Sequence, residues 1–260
     1  MKIYDYLGKQ QNTQDSFADN VAISYGFDET SHTNYTVFRI NKKRVDGTLQ
    51  FPFLRRVVPR STAIELANSE GWVYVTNGGV GTGLVIENSV VIQDDSLPVE
   101  VGALPLSINQ SGDLGYLEAD TIGKGQTYVN QGVVSAFCGF FPVIVDYENF
   151  NYPTDIPGTD TEAWQHAQRQ IIGQFGNGDY LFIVSEGRSF DNSVGFTMSD
   201  VQRVCKKLGA KFAYNLDGGG STQTVIGKRQ VNQVYEGTSG RLRGTFLVFN
   251  GTDTFNIPNS

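Results

Sequence analysis

The chain has 260 residues, of which 39% are hydrophobic and 30 are glycine, so it can bury a sizeable core and is rich in turns. Twenty basic and 27 acidic residues give a net charge of −7, which disfavours binding to nucleic acid or to an anionic membrane. No run approaches the roughly 20 apolar residues of a membrane span, and the N-terminus lacks the apolar core of a secretory signal, so we expect a soluble protein.

The first 60 residues predict a polar arm followed by strands. Residues 1–32 are weakly patterned, which indicates an irregular arm or a docking segment. Strand character begins at residues 35–40, and residues 49–58 follow after a turn signal. Pro52 and Pro59 limit this second segment to an edge or a bulged strand.

A short helix and further strands are predicted in the middle of the chain. Thr62 and Glu65 have the spacing of a capping box, which indicates a helix start. Further strands are predicted at residues 72–76, 83–92, 128–134 and 142–145, and a surface loop at residues 149–161. Cys138 and Cys205 are read as two buried thiols in preference to one disulfide bridge. His32 and His166 have no ligand-spaced partner, so a histidine metal site or a catalytic triad has little support.

The last third predicts a strand, a helix and a strand in succession. Residues 179–185 form a short apolar run that is typical of a buried strand. Thr197 and Asp200 predict a capped helix that ends at Gly209, and residues 212–216 predict the next strand. The two strands should be parallel and close together, with their carboxyl ends at one edge of the sheet. We therefore expect one α+β domain with a mixed, strand-rich sheet, few helices and a C-terminal β-α-β unit.

The segment after this last strand has the character of a binding site. Asp217 is followed by three glycines and two hydroxyl residues, namely Gly218, Gly219, Gly220, Ser221 and Thr222. Glycines let a backbone approach a ligand closely, and their N–H groups can face an anion or a sugar hydroxyl. Asn215 lies two residues earlier, on the same face of the strand as Asp217. The alternative is a glycine-rich turn that Asp217 caps.

Two other segments are expected at the same edge. Glu186, Gly187 and Arg188 follow the apolar strand, and Arg188 could either contact a phosphate or form an ion pair that orders the loop. Asn77, Gly78 and Gly79 also follow a strand. A strand pattern follows them in place of the helix that a nucleotide-binding loop requires, so they form either a second loop of the cleft or an ordinary hairpin turn.

These residues resemble the phosphodiester glycosidase family over residues 62–249. The resemblance rests mainly on the Asn-Leu-Asp-Gly-Gly-Gly-Ser motif at residues 215–221. Residues 186–188 and the Asn-Gly-Gly at residues 77–79 also match. Arg169 and Gly173 match the first and last residues of the family's Arg-Thr-x-x-Gly motif. Three positions depart from the family pattern. Glu186 replaces an aspartate, Gln170 a threonine and Gln168 a proline.

The resemblance implies hydrolysis of a sugar-1-phosphodiester, such as an N-acetylglucosamine-1-phosphodiester or a phosphosugar polymer. Asp217 would act as nucleophile or base, and Arg188 with the glycine-loop amides would hold the phosphodiester. The implied substrate-positioning residues are Glu186, Asn77, Asn215, Arg169, Ser221 and Thr222. No cofactor is required. A divalent cation held by Asp217 and Glu186 is left open as an alternative, although no ligand spacing indicates one.

Two other functions compete with hydrolysis at the sugar carbon. One is a non-catalytic glycan-binding or assembly module, for example a viral tail component, which would be extracellular or virion-associated. Its motivation is the polar N-terminal arm and the three departures from the family pattern. The other is a phosphodiesterase that cleaves the P–O bond, because fold resemblance alone does not establish the chemistry.

Overall fold

The computed structural model describes residues 3–4, 10–11, 21–43, 47–72, 74–79, 83–95, 104–118, 123–151, 165–187, 192–227, 229–235 and 239–249. In chain order the strands are β1 Ile3–Tyr4, β2 Gln10–Gln11, β3 Val21–Asp28, β4 Thr33–Ile40, β5 Phe53–Ser61, β6 Tyr74–Asn77, β7 Leu84–Glu87, β8 Val90–Asp94, β9 Leu106–Asn109, β10 Leu114–Tyr116, β11 Val133–Phe137, β12 Phe141–Val145, β13 Glu148–Asn149, β14 Gln170–Phe175, β15 Tyr180–Ser185, β16 Ala210–Asn215, β17 Thr224–Ile226, β18 Arg229–Gln230 and β19 Arg243–Phe249. The helices are α1 Ala63–Glu70, α2 Gly125–Asn130 and α3 Met198–Leu208.

The strands form three sheets. The largest has nine strands in the order β13-β12-β16-β14-β15-β4-β3-β1-β2, and two five-stranded sheets have the orders β10-β9-β11-β7-β8 and β18-β17-β6-β19-β5. Nearly all neighbouring strands are antiparallel, and β1 pairs with β3 in parallel. This strand-rich architecture with few helices confirms the predicted α+β class.

The core lies between the large sheet and the two smaller ones. Alternate residues of β15 face opposite sides, because successive side chains of a strand point to opposite faces. Phe182 belongs to the cluster shared with the smaller sheets, whereas Leu181 packs against α3. Helix α1 packs on the sheet of β6 and β19, and α2 packs on the sheet of β7 and β11. The described residues contain no helix long and apolar enough to cross a membrane.

Both predicted capping boxes are present. The Thr62 side chain accepts a hydrogen bond from the Glu65 amide at the start of α1, and Thr197 accepts one from the Asp200 amide at the start of α3. Helix α3 ends at Gly209, whose φ of 82° lies in the left-handed region that favours glycine. Local side-chain hydrogen bonding thus sets both helix starts, as the sequence indicates.

The predicted β-α-β unit is confirmed in direction and corrected in adjacency. β15 and β16 are both antiparallel to β14, so they are parallel to each other, but β14 lies between them. The carboxyl ends of β15 and β16 therefore do lie at the same edge of the sheet. β14 was not predicted as a strand; it forms a hairpin with β15 through the turn at residues 176–179 and supplies the strand between β15 and β16.

Two local predictions were wrong. Residues 21–28 of the supposed irregular arm form β3, which pairs with β4 over eight residues and buries Val21 and Ile23. Residues 128–130, predicted as strand, belong to α2, and the strand begins only at Val133. The predicted edge position of β5 is confirmed, and Cys138 and Cys205 are buried free thiols. Most of the predicted loop at 149–161 lies outside the described residues.

Candidate active site

The glycine motif follows β16, at the edge where β15 also ends. β16 lies between β12 and β14, and Asn215 is its last residue. The amide of Leu216 still donates to the carbonyl of Gln170 at 2.8 Å, so the motif leaves the sheet only at Asp217. Asp217 therefore lies just after a strand that is paired on both sides.

The glycines pack closely against the main chain just before β14. The amide of Gly219 donates to the carbonyl of Gln168 at 2.7 Å, and a Cβ added at Gly218 would lie 2.8 Å from that same oxygen. Ser221 and Thr222 donate their amides to the carbonyls of Gly218 and Gly219. Three backbone amides of the loop thus donate hydrogen bonds to other main-chain groups of the protein. The glycine triplet serves close backbone packing as well as any approach to a ligand.

Asp217 forms an ion pair that the sequence did not indicate. Arg243 Nη2 lies 2.7 Å from Asp217 Oδ2, and the two side chains are 23% and 11% exposed. Arg243 is the first residue of β19, in a different sheet. Arg241 and Arg243 are two residues apart, and this strand-like spacing of two arginines was the available sequence signal.

The predicted Asn77 loop does meet Asp217. Asn77 Nδ2 donates to the Asp217 carbonyl at 2.7 Å, and the Asp217 amide donates to the Gly78 carbonyl at 3.0 Å. A Cβ added at Gly79 would lie 1.9 Å from the Cys138 carbonyl oxygen, so the loop is held tightly on its other side. Of the two readings, the loop of a shared cleft is the one that the geometry favours. Residues 80–82 lie outside the described residues.

A buried hydrogen-bond network fixes Asn77. Its Oδ1 accepts from the Gln223 amide at 2.8 Å and from Gln170 Nε2 at 2.9 Å. Gln170 Oε1 in turn accepts from the Thr224 hydroxyl at 2.8 Å. The Gln170 side chain thereby links β6, β14 and β17, which gives this departure from the family pattern a structural role.

Glu186 lies at the predicted edge and faces a neighbouring loop. Its carboxylate accepts from the Gln233 amide at 3.2 and 3.3 Å, and Gln168 Nε2 lies 3.4 Å from its Oε2. Gln168 also accepts the Gly219 amide through its carbonyl, so Glu186 and the glycine loop are joined through Gln168. Arg188 lies outside the described residues.

Arg169 holds two loops in place. Its guanidinium donates to the carbonyl of Phe196 at 3.1 Å and to that of Gln165 at 2.8 Å, and the residue is buried. Its amide donates to the Ser185 hydroxyl at 2.8 Å. These contacts fix the segments that enter β14 and α3.

Several buried polar atoms around the motif have no hydrogen-bond partner within the described residues. They include Gln168 Oε1, Asn215 Oδ1, Thr222 Oγ1 and Arg243 Nε. Buried polar groups are almost always paired, because each unpaired one costs about 1–3 kcal/mol. Two amide oxygens, one hydroxyl and one guanidinium N–H near the motif are thus left with hydrogen-bonding capacity that the described residues do not use.

A cavity of about 240 Å³ opens beside the ion pair. Its walls are Arg56, Val57, Val58, Arg60, Gly79, Val85, Arg243, Gly244 and Thr245. Arg243 and Gly79 connect this cavity to Asp217 and to the Asn77 loop. Arg56 and Arg60 belong to β5, and no sequence pattern related them to the motif.

A larger cavity lies away from the motif. It measures about 370 Å³ and is lined in part by Lys211, Phe212 and Phe175. Phe175 pairs with Ala210 and Ile171 with Asn215, so this cavity is at the opposite end of β16 from Asp217. Size therefore does not identify the site. Within the described part of the chain there is no group of three or more His, Cys, Asp or Glu side chains arranged to hold a metal.

Comparisons with known proteins show which family this chain resembles in sequence and which structures share its fold. A sequence model of the phosphodiester glycosidase family matches residues 62–249, more than half of the chain. The SPβ prophage-derived uncharacterized protein YomE of Bacillus subtilis (strain 168) is 26% identical over 210 residues, which is 78% of this chain. The match covers 30% of that relative, so this chain spans less than a third of its length.

Solved structures share the fold at low sequence identity. The catalytic domain of zebrafish N-acetylglucosamine-1-phosphodiester α-N-acetylglucosaminidase, auto-inhibited by its pro-peptide, superposes with a TM-score of 0.67 at 16% identity, covering 89% of this chain and 82% of that one. A hypothetical protein from Synechocystis gives a TM-score of 0.62 at 13% identity, covering 89% of this chain and 64% of that one.

Proposed function

Because the chain belongs to the phosphodiester glycosidase family, we propose that it hydrolyses a sugar-1-phosphodiester to a free sugar and a phosphomonoester. The observation that carries the proposal is the Asp217–Arg243 ion pair, which places a carboxylate and a guanidinium together where the family motif leaves the sheet. The zebrafish relative, whose name states an N-acetylglucosamine-1-phosphodiester substrate, shares the fold.

The reaction breaks the bond between the anomeric carbon and the phosphate oxygen. In the proposed mechanism Asp217 has one of two roles. As nucleophile it attacks the anomeric carbon and displaces the phosphate, and water then hydrolyses the glycosyl ester; as base it takes a proton from the water that attacks this carbon directly. The water oxygen ends on the sugar, and the bond electrons leave with the phosphate. The phosphate is already a good leaving group, so strong general-acid assistance is less important than in ordinary glycosides.

Arg243 is the proposed partner of the leaving phosphate. A guanidinium has five N–H donors in a planar fork, so it can bind a carboxylate through one edge and a phosphate through another. Nη2 contacts Asp217, and Nε is buried without a partner in the described residues. A donor placed beside the leaving oxygen stabilises the charge that develops there. A phosphate contact by Arg188 stays a prediction from the sequence.

The other residues of the site are proposed to position substrate or loops. Asn215 and Thr222 each offer a buried oxygen to sugar hydroxyls. Asn77 holds the Asp217 main chain, and Arg169 fixes the neighbouring loops. The Glu186 carboxylate accepts from the Gln233 amide, and we assign Glu186 as a residue that positions substrate.

The test is hydrolysis in ¹⁸O-labelled water, followed by mass spectrometry and phosphorus NMR. Label in the released sugar is the result that the proposal predicts. Label in the phosphate would instead assign a phosphodiesterase that cleaves P–O.

Saturable binding without turnover would favour the second candidate, a glycan-binding module of a virion. The prophage origin of the YomE relative and the three departures from the family pattern motivate this candidate, and with it an extracellular or virion-associated location.

A further inference from the structure

An irregularity between β5 and β19 forms the wall of the 240 Å³ cavity. Arg243 pairs with Ser61 and Thr245 pairs with Arg56, so Gly244 alone lies opposite residues 57–60. The extra residues of β5 bulge outward and line the cavity. The stem of Arg60 lies over Gly244, where an added Cβ would be 3.8 Å from Arg60 Cγ.

The cavity carries positive charge that is not neutralised by the described part of the chain. The side chains of Arg56 and Arg60 are exposed and form no ion pair with any described carboxylate, and no Asp or Glu lines the cavity. The adjacent Arg55 behaves differently, since its guanidinium lies 2.8 Å from Glu70 and 3.5 Å from Glu87. The same strand thus holds one neutralised arginine and two that face the cavity.

This local charge contrasts with the protein as a whole. At a net charge of −7 the chain repels polyanions at long range. Arginines in a cleft that form no ion pair are therefore suited to bind the anionic group of a specific ligand. Guanidinium groups match phosphate oxygens in paired hydrogen bonds.

We propose that Arg56 and Arg60 bind a second phosphate of the substrate, so that the preferred substrate is an oligomeric phosphodiester and not one with a neutral aglycone. The inference rests on the proposed function, because Arg243 is assigned there to the scissile phosphate and to Asp217. Arg56 and Arg60 stand on another strand of the same cavity. The cavity volume of about 240 Å³ is below the ~300–1,000 Å³ of sites that enclose a whole ligand. A cavity of this size suits one repeat unit of an oligomeric substrate.

The test compares two substrates that differ only in the aglycone. One is a sugar-1-phosphodiester of glycerol, and the other carries one additional glycerol-phosphate unit. The proposal predicts a kcat/KM at least tenfold higher for the extended substrate at low salt, expressed mainly in KM and reduced by added NaCl. Equal kcat/KM for both substrates would overturn it and leave the proposed hydrolysis intact.

Variants locate the effect in the cavity. The Arg56→Gln/Arg60→Gln double variant is expected to lose at least fivefold more activity on the extended substrate than on the short one. The matched control is Lys207→Gln/Lys211→Gln, which removes the same charge from exposed positions, the second at the far end of β16. Equal losses in both double variants would contradict a cavity site.

If neither substrate is turned over, the proposed function fails and binding still tests the cavity. Titration calorimetry with a glycerol-phosphate oligomer is then the measurement. At least tenfold weaker binding by the Arg56→Gln/Arg60→Gln variant supports the anion site, and equal or absent binding overturns it.

Discussion

Arg243 and Asp217 join two sheets through one ion pair. Arg243 begins β19 in a five-stranded sheet, Asp217 follows β16 of the nine-stranded sheet, and their closest charged atoms are 2.7 Å apart. The pair lies between the motif loop and a cavity with two further arginines. Under the proposed function, the geometry of the guanidinium should therefore matter as well as its charge.

Arg243→Lys is therefore expected to lower kcat/KM by about 10²-fold, as removal of one oriented transition-state donor does. A lysine ammonium keeps the positive charge but cannot contact a carboxylate and a phosphate through two edges. Initial rates on a sugar-1-phosphodiester measure the effect. Arg39→Lys is the control, because Arg39 forms an exposed ion pair with Asp179 and should change kcat/KM less than twofold. Equal rates for the two variants would argue against the role of Arg243.

Gln170→Ala is expected to reduce the free energy of unfolding by about 2–4 kcal/mol, because it removes the side chain that pairs with Asn77 and Thr224 and leaves buried polar atoms without partners. Urea denaturation measures the change. Gln126→Ala on the exposed face of α2, where Gln126 bonds to Asn130 at 3.0 Å, should cost less than about 0.5 kcal/mol. A similar small effect at Gln170 would show that the network is not needed for stability.

The glycine loop offers a matched pair of substitutions. An alanine Cβ at Gly218 would lie 2.8 Å from the Gln168 main-chain oxygen, whereas one at Gly220 would meet only the end of the Arg241 side chain. Gly218→Ala should cost about 1–3 kcal/mol of stability through overpacking, and Gly220→Ala less than about 1 kcal/mol, because the end of a side chain can move more easily than packed main chain. Thermal unfolding of both variants tests this order, and the reverse order would contradict it.

The Asp28 carboxylate should make stability depend on pH in acid. Hydrogen bonds from Arg203 lower the pKa of Asp28 to about 2, and Arg203 Nη2 lies 2.8 Å from Asp28 Oδ2. Because the folded pKa lies below the unfolded value of about 3.9, this stabilisation is present above pH ~4 and is lost as the pH falls towards 2. Arg203→Gln should be destabilised most above pH 4, and the difference from the parent should shrink in acid. Denaturation at pH 2.5, 4 and 6 measures it; a constant difference would exclude this linkage.

Local chemistry in the sequence predicts much of this fold. Thr62 and Thr197 start helices through side-chain hydrogen bonds to residues three positions later, and such contacts are visible in sequence. The apolar run at β15 likewise indicates a strand buried on both faces. The strand β3 was not predicted, because its stability depends on pairing with β4 and not on its own residues.

The candidate site was predictable only in its contiguous part. Asp217, the glycines and the Asn77 loop are recognisable as segments, and the structure brings them together. Arg243 and Arg60 reach the same place from β19 and β5, because antiparallel pairing and a bulge bring these strands to the motif. The spacing of Arg241 and Arg243 fits a strand, but it does not indicate that Arg243 meets Asp217 of another sheet. The sequence also did not indicate that the glycine amides bond within the protein.

The turnover of Asp217→Asn tests the proposed chemical role of Asp217. Asparagine keeps the size of the side chain and leaves the main-chain contacts of residue 217 with Asn77 and Gly78 in place. We expect a folded protein whose kcat is lower by at least about 10³-fold, which corresponds to about 4 kcal/mol in the activation free energy. Glu186→Gln, the matched carboxylate-to-amide control, should lose no more than about tenfold, as expected for a positioning group. Full turnover by folded Asp217→Asn would contradict the assignment of Asp217 as the group that performs the chemistry.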